Sequence, residues 1–166
     1  MGLFDRICCK KEIFLLMVVI FIIFITIIYE KRDIVSTNWS CNIVKTSFIS
    51  NAYKEYKYIS EEMTMSFISD EIFSIREFVE VLDVDGFKGE IENVYYGTYK
   101  LSGDNITLKF KKVDQKYNSN IGVVNKDYLE YEGIEIKYSF YTDDKFLFFF
   151  SENKSEIHNF TCFINN

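Results

Sequence analysis

The segment YYGTYKLSGDNITLKF (residues 95–110) contains the clearest strand pattern of this chain. Apolar and polar side chains alternate on both sides of a polar turn at residues 102–105, with Tyr99 on the apolar face before the turn and Leu108 on that face after it. This period of two is typical of two antiparallel strands that bury one face. The segment therefore predicts a β-hairpin.

A second hairpin is predicted over residues 134–150. Alternation from Ile134 to Tyr141 leads into a polar turn at residues 142–145, and FLFFF (146–150) forms the returning strand. A last strand is expected at about residues 157–164. Together these patterns indicate a mainly β domain of six to eight antiparallel strands, arranged as a closed barrel or a two-layer sandwich.

Two stretches break the alternation. Ala52, Tyr56 and Ile59 have the i, i+4, i+7 spacing of a helix, so we expect one short helix or loop near residues 47–62. Residues 114–126 are polar and contain three asparagines, which favours a long loop.

The first hairpin also carries a family resemblance. Residues 96–108 (YGTYKLSGDNITL) resemble a hairpin of small bacterial lipocalin-like envelope proteins, and residues 63–73 and 138–148 resemble the strand–turn–strand units beside it. The resemblance implies an antiparallel meander barrel. The Gly-x-Trp found early in lipocalins is absent here, because Trp39 is followed by Ser40.

Cysteine positions suggest how such a domain is closed. Cys41 and Cys162 lie near opposite ends of the β region with no cysteine between them, which predicts a disulfide; two buried free thiols are the alternative. Disulfides persist in oxidising compartments, so the bridge would place the domain outside the cytoplasm. Cys8 and Cys9 are adjacent, and adjacent cysteines rarely bridge each other because the link strains the bond geometry.

An apolar run precedes the β region. Residues 13–29 (IFLLMVVIFIIFITIIY) carry no charge and would form a helix roughly 25 Å long, which predicts an uncleaved transmembrane anchor. A cleaved signal peptide is the alternative, although no small-residue cleavage site follows the run. The predicted order is a cytoplasmic segment (1–12), the span (13–29), a linker (30–40) and an extracytoplasmic domain (41–166). The layout of one anchor and one small domain resembles that of some bacteriocin immunity proteins.

Charge and composition argue against nucleic-acid binding and against catalysis. Residues 34–166 contain 14 basic and 21 acidic side chains, so anionic nucleic acid would be repelled. The whole chain has one histidine, His158, and lacks the phosphate-binding and nucleophile motifs of common enzymes. We predict a non-catalytic protein with no metal or cofactor.

Aromatic residues make up 18% of the chain, and this abundance has two interpretations. Tyr99, Phe110, Tyr138 and Phe148 are predicted to face inward, where they either fill the core or line a pocket for a small apolar ligand. Aromatics beyond that need would serve a protein partner. The sequence thus predicts a binding protein held by one span in the inner membrane of a bacterium, with its N-terminus in the cytoplasm and its domain in the periplasm or outside the cell. The partner is a protein or, alternatively, a small apolar ligand.

Overall fold

The computed structural model describes residues 14–23, 34–48, 51–119, 122–143, 145–153 and 156–165. The chain divides into two compact units, Met1–Asp33 and Ile34–Asn166. In the first unit, residues 14–23 form a helix, α1, whose side chains are all exposed, from 39% at Val18 to 71% at Phe14. Within the described ranges, no helix combines the length and apolar character needed to cross a bilayer. The remainder of the span predicted over 13–29 lies outside the described residues.

The described part of the second unit contains eight antiparallel strands, which follow one another in chain order and close into a barrel. The strands are β1 (Thr37–Thr46), β2 (Tyr56–Phe67), β3 (Ile72–Asp83), β4 (Lys88–Ser102), β5 (Asn105–Asn118), β6 (Glu135–Thr142), β7 (Phe146–Asn153) and β8 (Glu156–Ile164). A 3-10 turn (Asn51–Tyr53) precedes β2, and helix α2 (Gly122–Leu129) connects β5 to β6. The prediction of a mainly β fold is confirmed. Of the two predicted architectures, the closed barrel is the one observed.

Both predicted hairpins are confirmed. In β4–β5, Ser102 pairs with Asn105 around a two-residue turn whose Gly103 has a φ of +58°, a conformation that favours glycine. In β6–β7, Thr142 pairs with Leu147, and the Asp143 carboxylate accepts backbone hydrogen bonds from the turn, including one of 2.7 Å from Phe146. The turn chemistry that marked these hairpins in the sequence also stabilises them.

The short helix or loop expected near residues 47–62 is confirmed in part. Asn51–Tyr53 forms a 3-10 helix, but β2 already begins at Tyr56, so residues 56–62 are strand. The inward side of this strand carries Ile59 and Glu61, so the buried face does not look apolar in the sequence. A register shift between Tyr56 and Tyr58 further disturbs the period of two.

The long loop expected over residues 114–126 is also wrong. Residues 114–118 continue β5, and α2 follows at Gly122. Both elements are polar because neither has one wholly buried face: most described side chains of β5 beyond Phe110 are exposed or half-buried. Their structure depends on pairing with β4 and on contacts inside the barrel, which an alternation pattern does not reveal.

The barrel closes where the sequence predicted. β8 pairs with β1 at Trp39–Ile164, Ser40–Phe163 and Cys41–Cys162, and the last pair forms a disulfide between residues 121 apart. The disulfide prediction is confirmed. The closing strand β1 begins at Thr37, and Ile34 before it is buried, so the compact unit extends ahead of residue 41.

Buried apolar side chains form two clusters. The larger cluster takes side chains from all eight described strands, including the buried rings of Phe67, Phe73 and Phe149. The smaller cluster lies near the start of β2, the end of β3 and the start of β4. It contains Tyr56, Ile59, Val79, Val81, Ile91 and Val124. Since Val124 belongs to α2, the helix contributes to the core beside β2, β3 and β4.

One glycine allows the larger cluster to pack. A Cβ on Gly97 would lie 2.2 Å from the Lys109 carbonyl oxygen and 2.6 Å from the Phe73 ring. The Phe73 ring therefore occupies the space that any other residue at position 97 would need.

Candidate functional site: the polar belt, the aromatic face and the β1–β8 seam

Five consecutive strands each place one polar side chain at a corresponding level inside the barrel. We call this set the polar belt; it consists of Lys45, Glu61, Glu77, Asn93 and Gln115. On β3, Glu77 lies between Ile75 of the larger cluster and Val79 of the smaller one, and Asn93 lies between Ile91 and Tyr95 on β4 in the same way. The belt thus separates the two apolar clusters.

The acidic members of the belt are held by direct contacts. Lys45 Nζ lies 2.7 Å from Glu61 Oε1, and the Tyr128 hydroxyl of α2 donates a hydrogen bond to the same carboxylate. The Tyr95 hydroxyl donates to Glu77 Oε2 at 2.6 Å. Each buried carboxylate therefore has a partner, as burial of such groups requires.

The amide members extend this network to α2. Asn93 Nδ2 donates to the Tyr95 hydroxyl at 3.3 Å, and Gln115 Nε2 donates to Asn93 Oδ1 at 3.2 Å. Gln115 Nε2 also lies 2.5 Å from Oδ1 of Asn125 on α2. Among the described residues, every buried side-chain nitrogen or oxygen has a hydrogen-bond partner. The belt accordingly attaches α2 to the barrel wall at two points, Tyr128 and Asn125.

Burial changes the proton affinity of the belt. Desolvation, reinforced by the neighbouring charge of Glu61, raises the pKa of Glu77 to about 8, although the Tyr95 hydrogen bond and Lys45 oppose the increase. Burial likewise raises the pKa of Tyr128, with Glu61 adding to the effect. At neutral pH Glu77 therefore mostly keeps its proton. The belt groups contact one another and α2, which suits them to hold this helix against the barrel wall.

Three of the four aromatic residues singled out in the sequence lie in the larger cluster. Tyr99, Phe110 and Tyr138 are 4%, 4% and 7% exposed. Their rings pack edge-on against other buried rings, for example Tyr138 against Phe149 with centroids 5.5 Å apart. In the described part of the barrel these rings fill the interior around them.

Phe148 requires a correction, because it lies on the outer side of β7. Leu147 and Phe149 are the buried neighbours, whereas Phe148 is half-buried and its ring centroid lies 6.0 Å from that of Phe146. Every residue from 146 to 150 is apolar, so the sequence of this strand does not distinguish its two faces.

The outer sides of β6, β7 and β8 therefore carry a group of aromatic side chains. We call this the aromatic face; it consists of Tyr141, Phe146, Phe148, Phe150 and Phe163. Tyr141, Phe150 and Phe163 are 49%, 46% and 54% exposed. Phe146 links two of the strands, since its ring lies 5.1 Å from that of Phe163 and also stacks with Phe148.

Beside the aromatic face, the barrel wall is incompletely paired. β1 and β8 pair only as far as Cys41–Cys162, although β1 continues through residues 42–46 and β8 arrives through residues 157–161. We call these two facing runs the seam. A cavity of about 370 Å³ opens there, and its lining consists of Asn42, Ile43, Val44, Phe149, Phe150, Asn159, Phe160, Thr161 and Phe163.

Comparison with models of known protein families gives no match, and comparison with curated proteins gives none either. The functional interpretation of this chain consequently depends on its own geometry.

The polar belt was missed by the sequence analysis, although the sequence contains a signal for it. Lys45, Glu61, Glu77 and Asn93 recur every 16 residues, each at a position where its strand otherwise places an inward side chain. A polar residue at such a position interrupts the apolar alternation, so the pattern of these strands does not mark the position as inward. His158, by contrast, lies on β8, where its backbone pairs with Ser151.

Proposed function

We propose that this chain is a non-catalytic, membrane-anchored binding protein that docks a protein partner on the outside of its barrel, in the manner of a small lipocalin-like envelope protein. The observation that carries the proposal is the aromatic face. Five aromatic side chains share one outer surface, and three of them are about half exposed. Large exposed aromatic side chains are typical anchors of protein interfaces.

The filled interior supports a protein partner over a small apolar ligand. Tyr99, Phe110 and Tyr138 occupy the space that a ligand would need, and their rings contact other buried rings. At one end of the barrel, Val124 and Tyr128 of α2 complete the packing. A ligand in this part of the interior would have to displace these side chains, and none of them lines the cavity at the seam. A partner on the aromatic face would find its surface already formed.

Helix α1 supports the anchor. Its described residues are apolar on every side and all are exposed, an arrangement that is costly in water and favourable in lipid. The disulfide supports an oxidising compartment for the barrel. The proposal is a single span that includes α1, with the N-terminus in the cytoplasm and the β-domain outside it.

Photo-crosslinking tests the partner. A photoreactive phenylalanine analogue is placed at Phe163 in the full chain, in intact cells of its source, and the control carries it at Tyr96, an exposed aromatic on β4. We expect one discrete adduct from position 163, none from position 96, and loss of the adduct when Phe146→Ser and Phe150→Ser are introduced. Equal adducts from both positions would refute docking on the aromatic face.

Thiol labelling tests the anchor and its orientation. With a thiol reagent that cannot cross the membrane, Cys8 and Cys9 should react only after cell lysis. Cys41 and Cys162 should react only after denaturation with reductant. Mature protein that begins beyond residue 30 and leaves the membrane in alkaline carbonate would contradict the anchor.

A further inference from the structure

We propose that the seam binds an extended segment of the partner as an added strand between β1 and β8; this inference rests on the proposed function and specifies its binding mode. The first observation is the unequal pairing of β1. Along residues 42–46 its other side pairs with β2 at every residue, from Asn42–Glu62 to Thr46–Tyr58. On the seam side, within the described residues, pairing stops at Cys41. Backbone groups of alternate residues there face the cavity.

The pattern of unpaired groups determines what can bind. A row of alternating N–H and C=O groups along a strand edge is matched by another extended backbone. The free run of β1 is five residues long, roughly 17 Å at the rise of an antiparallel strand. The disulfide fixes one end of the opening, so the seam can receive a strand there while the barrel remains closed at Cys41–Cys162.

The described side chains along the seam lack the usual protection of a free edge. Exposed edges commonly carry outward charges or proline, which prevent pairing with other chains. Here the outward side chains are Asn42, Val44 and Thr46 on β1 and Asn159 and Thr161 on β8. Lys45 points inward and contacts Glu61 at 2.7 Å. Among the described side chains of the two runs, none that points outward is charged.

The surroundings define the chemistry of the segment. Phe150 and Phe163 of the aromatic face also line the seam cavity, so apolar side chains at alternate positions of the added strand would lie against them. Because residues 34–166 carry 21 acidic and only 14 basic side chains, an uncharged or basic segment is favoured. The same excess of negative charge disfavours a second copy of this chain as the occupant.

The test uses the full chain in detergent micelles and a phage-displayed library of linear seven-residue peptides as the probe. The selected peptides are measured against the wild type, against Val44→Lys/Thr161→Lys, which places a charge on each seam edge, and against Ile72→Lys/Val84→Lys, which adds two charges at exposed sites elsewhere. We expect non-acidic peptides with alternating apolar residues, at least tenfold weaker binding to the seam variant, and unchanged binding to the control. Bound peptide should also slow amide exchange at residues 42–46.

Several outcomes would overturn the seam proposal: no selected peptide, equal binding by both lysine variants, or a concentration-dependent dimer of the free chain with protected amides at 42–46. The crosslink at position 163 separates this failure from that of the proposed function. A crosslink that persists in the seam variant leaves the aromatic face as the docking surface and removes the added strand. Peptide binding at the seam without any cellular crosslink would instead refute docking on the aromatic face.

Discussion

The two walls of the barrel differ in length, pairing and surface chemistry. The wall formed by β2, β3 and β4 has strands of 12 to 15 residues, and its outer side carries charged contacts such as Arg76–Glu92 at 2.7 Å. The wall formed by β6, β7 and β8 has strands of eight or nine residues and aromatic side chains on both faces. One wall therefore supports the fold through long pairing, and the other carries the exposed aromatic face.

The internal polar contacts and the proposed docking surface therefore lie in different parts of one sheet. The long wall holds three members of the polar belt, Glu61, Glu77 and Asn93, and Glu61 contacts α2 through Tyr128, so its inner side is committed to internal contacts. The short wall reaches β1 through only a brief stretch of pairing beside the disulfide. Changes to the two walls should have different consequences.

Removal of the disulfide should have the largest effect. Cys41→Ser/Cys162→Ser should lower the free energy of unfolding by about 4–5 kcal/mol, because the bridge restricts a very long loop in the unfolded chain. Chemical denaturation measures the loss, and amide exchange should accelerate first in β1 and β8. Cys8→Ser/Cys9→Ser provides the control with the bridge intact. A loss below about 1 kcal/mol would show that strand pairing alone closes the short wall.

The two faces of the short wall should respond unequally to truncation. Phe149→Ala leaves a void in the larger cluster and should cost about 3–5 kcal/mol of unfolding free energy. Phe163→Ala, on the aromatic face, should change it by no more than about 0.5 kcal/mol. Denaturant titration of both variants provides the comparison. Similar losses would mean that the aromatic face also contributes to the core.

Gly97→Ala tests the close packing on the long wall. The new methyl group would overlap the Lys109 carbonyl oxygen and the Phe73 ring, so we expect a loss of about 1–3 kcal/mol in unfolding free energy. Lys100→Ala, at an exposed position of the same strand, serves as the control. Unchanged stability in Gly97→Ala would contradict the contact between Phe73 and the β4 backbone.

The polar belt should make stability depend on pH. The pKa of Glu77 is raised to about 8 in the folded barrel, so the folded state keeps a proton that the unfolded chain releases above its ordinary pKa of 4.5. The contribution of this group is therefore fully present below pH 4.5 and is lost as the pH rises to about 8. The slope is at most about 1.4 kcal/mol per pH unit.

Glu77→Gln isolates that contribution. The amide can still accept the Tyr95 hydrogen bond but has no proton to lose in this range. Unfolding free energies measured from pH 5 to 9 should decline less steeply for the variant than for the wild type. Parallel profiles would show that another group causes the dependence.

The sequence predicted the parts of the fold that follow simple alternation. Tyr99 and Leu108 marked the first hairpin because the alternation around them is local in the sequence. Cys41 and Cys162 marked the closure because they are the only two cysteines in the β region of the sequence. Glu77 was missed because its burial depends on Tyr95 from a neighbouring strand. Phe148 was assigned to the wrong face because both of its neighbours are apolar as well.

The seam and the helix α2 could not be predicted for a related reason. Where β1 stops pairing with β8 depends on how far the two strands diverge after Cys41, which no side-chain pattern specifies. The position of α2 depends on Tyr128 and Asn125 reaching the barrel wall. The aromatic face required knowledge of which way each residue of β7 points.

The barrel begins and ends at one place, because the amide of Asn165 donates a 2.8 Å hydrogen bond to the carbonyl oxygen of Asn38. A short linker could therefore join these two positions, and new termini could be opened at the turn containing Gly103. Such a circular permutant would retain all eight described strands and their order around the barrel. Removing the bridge from it would reveal whether closure of this sheet requires the native position of the chain termini.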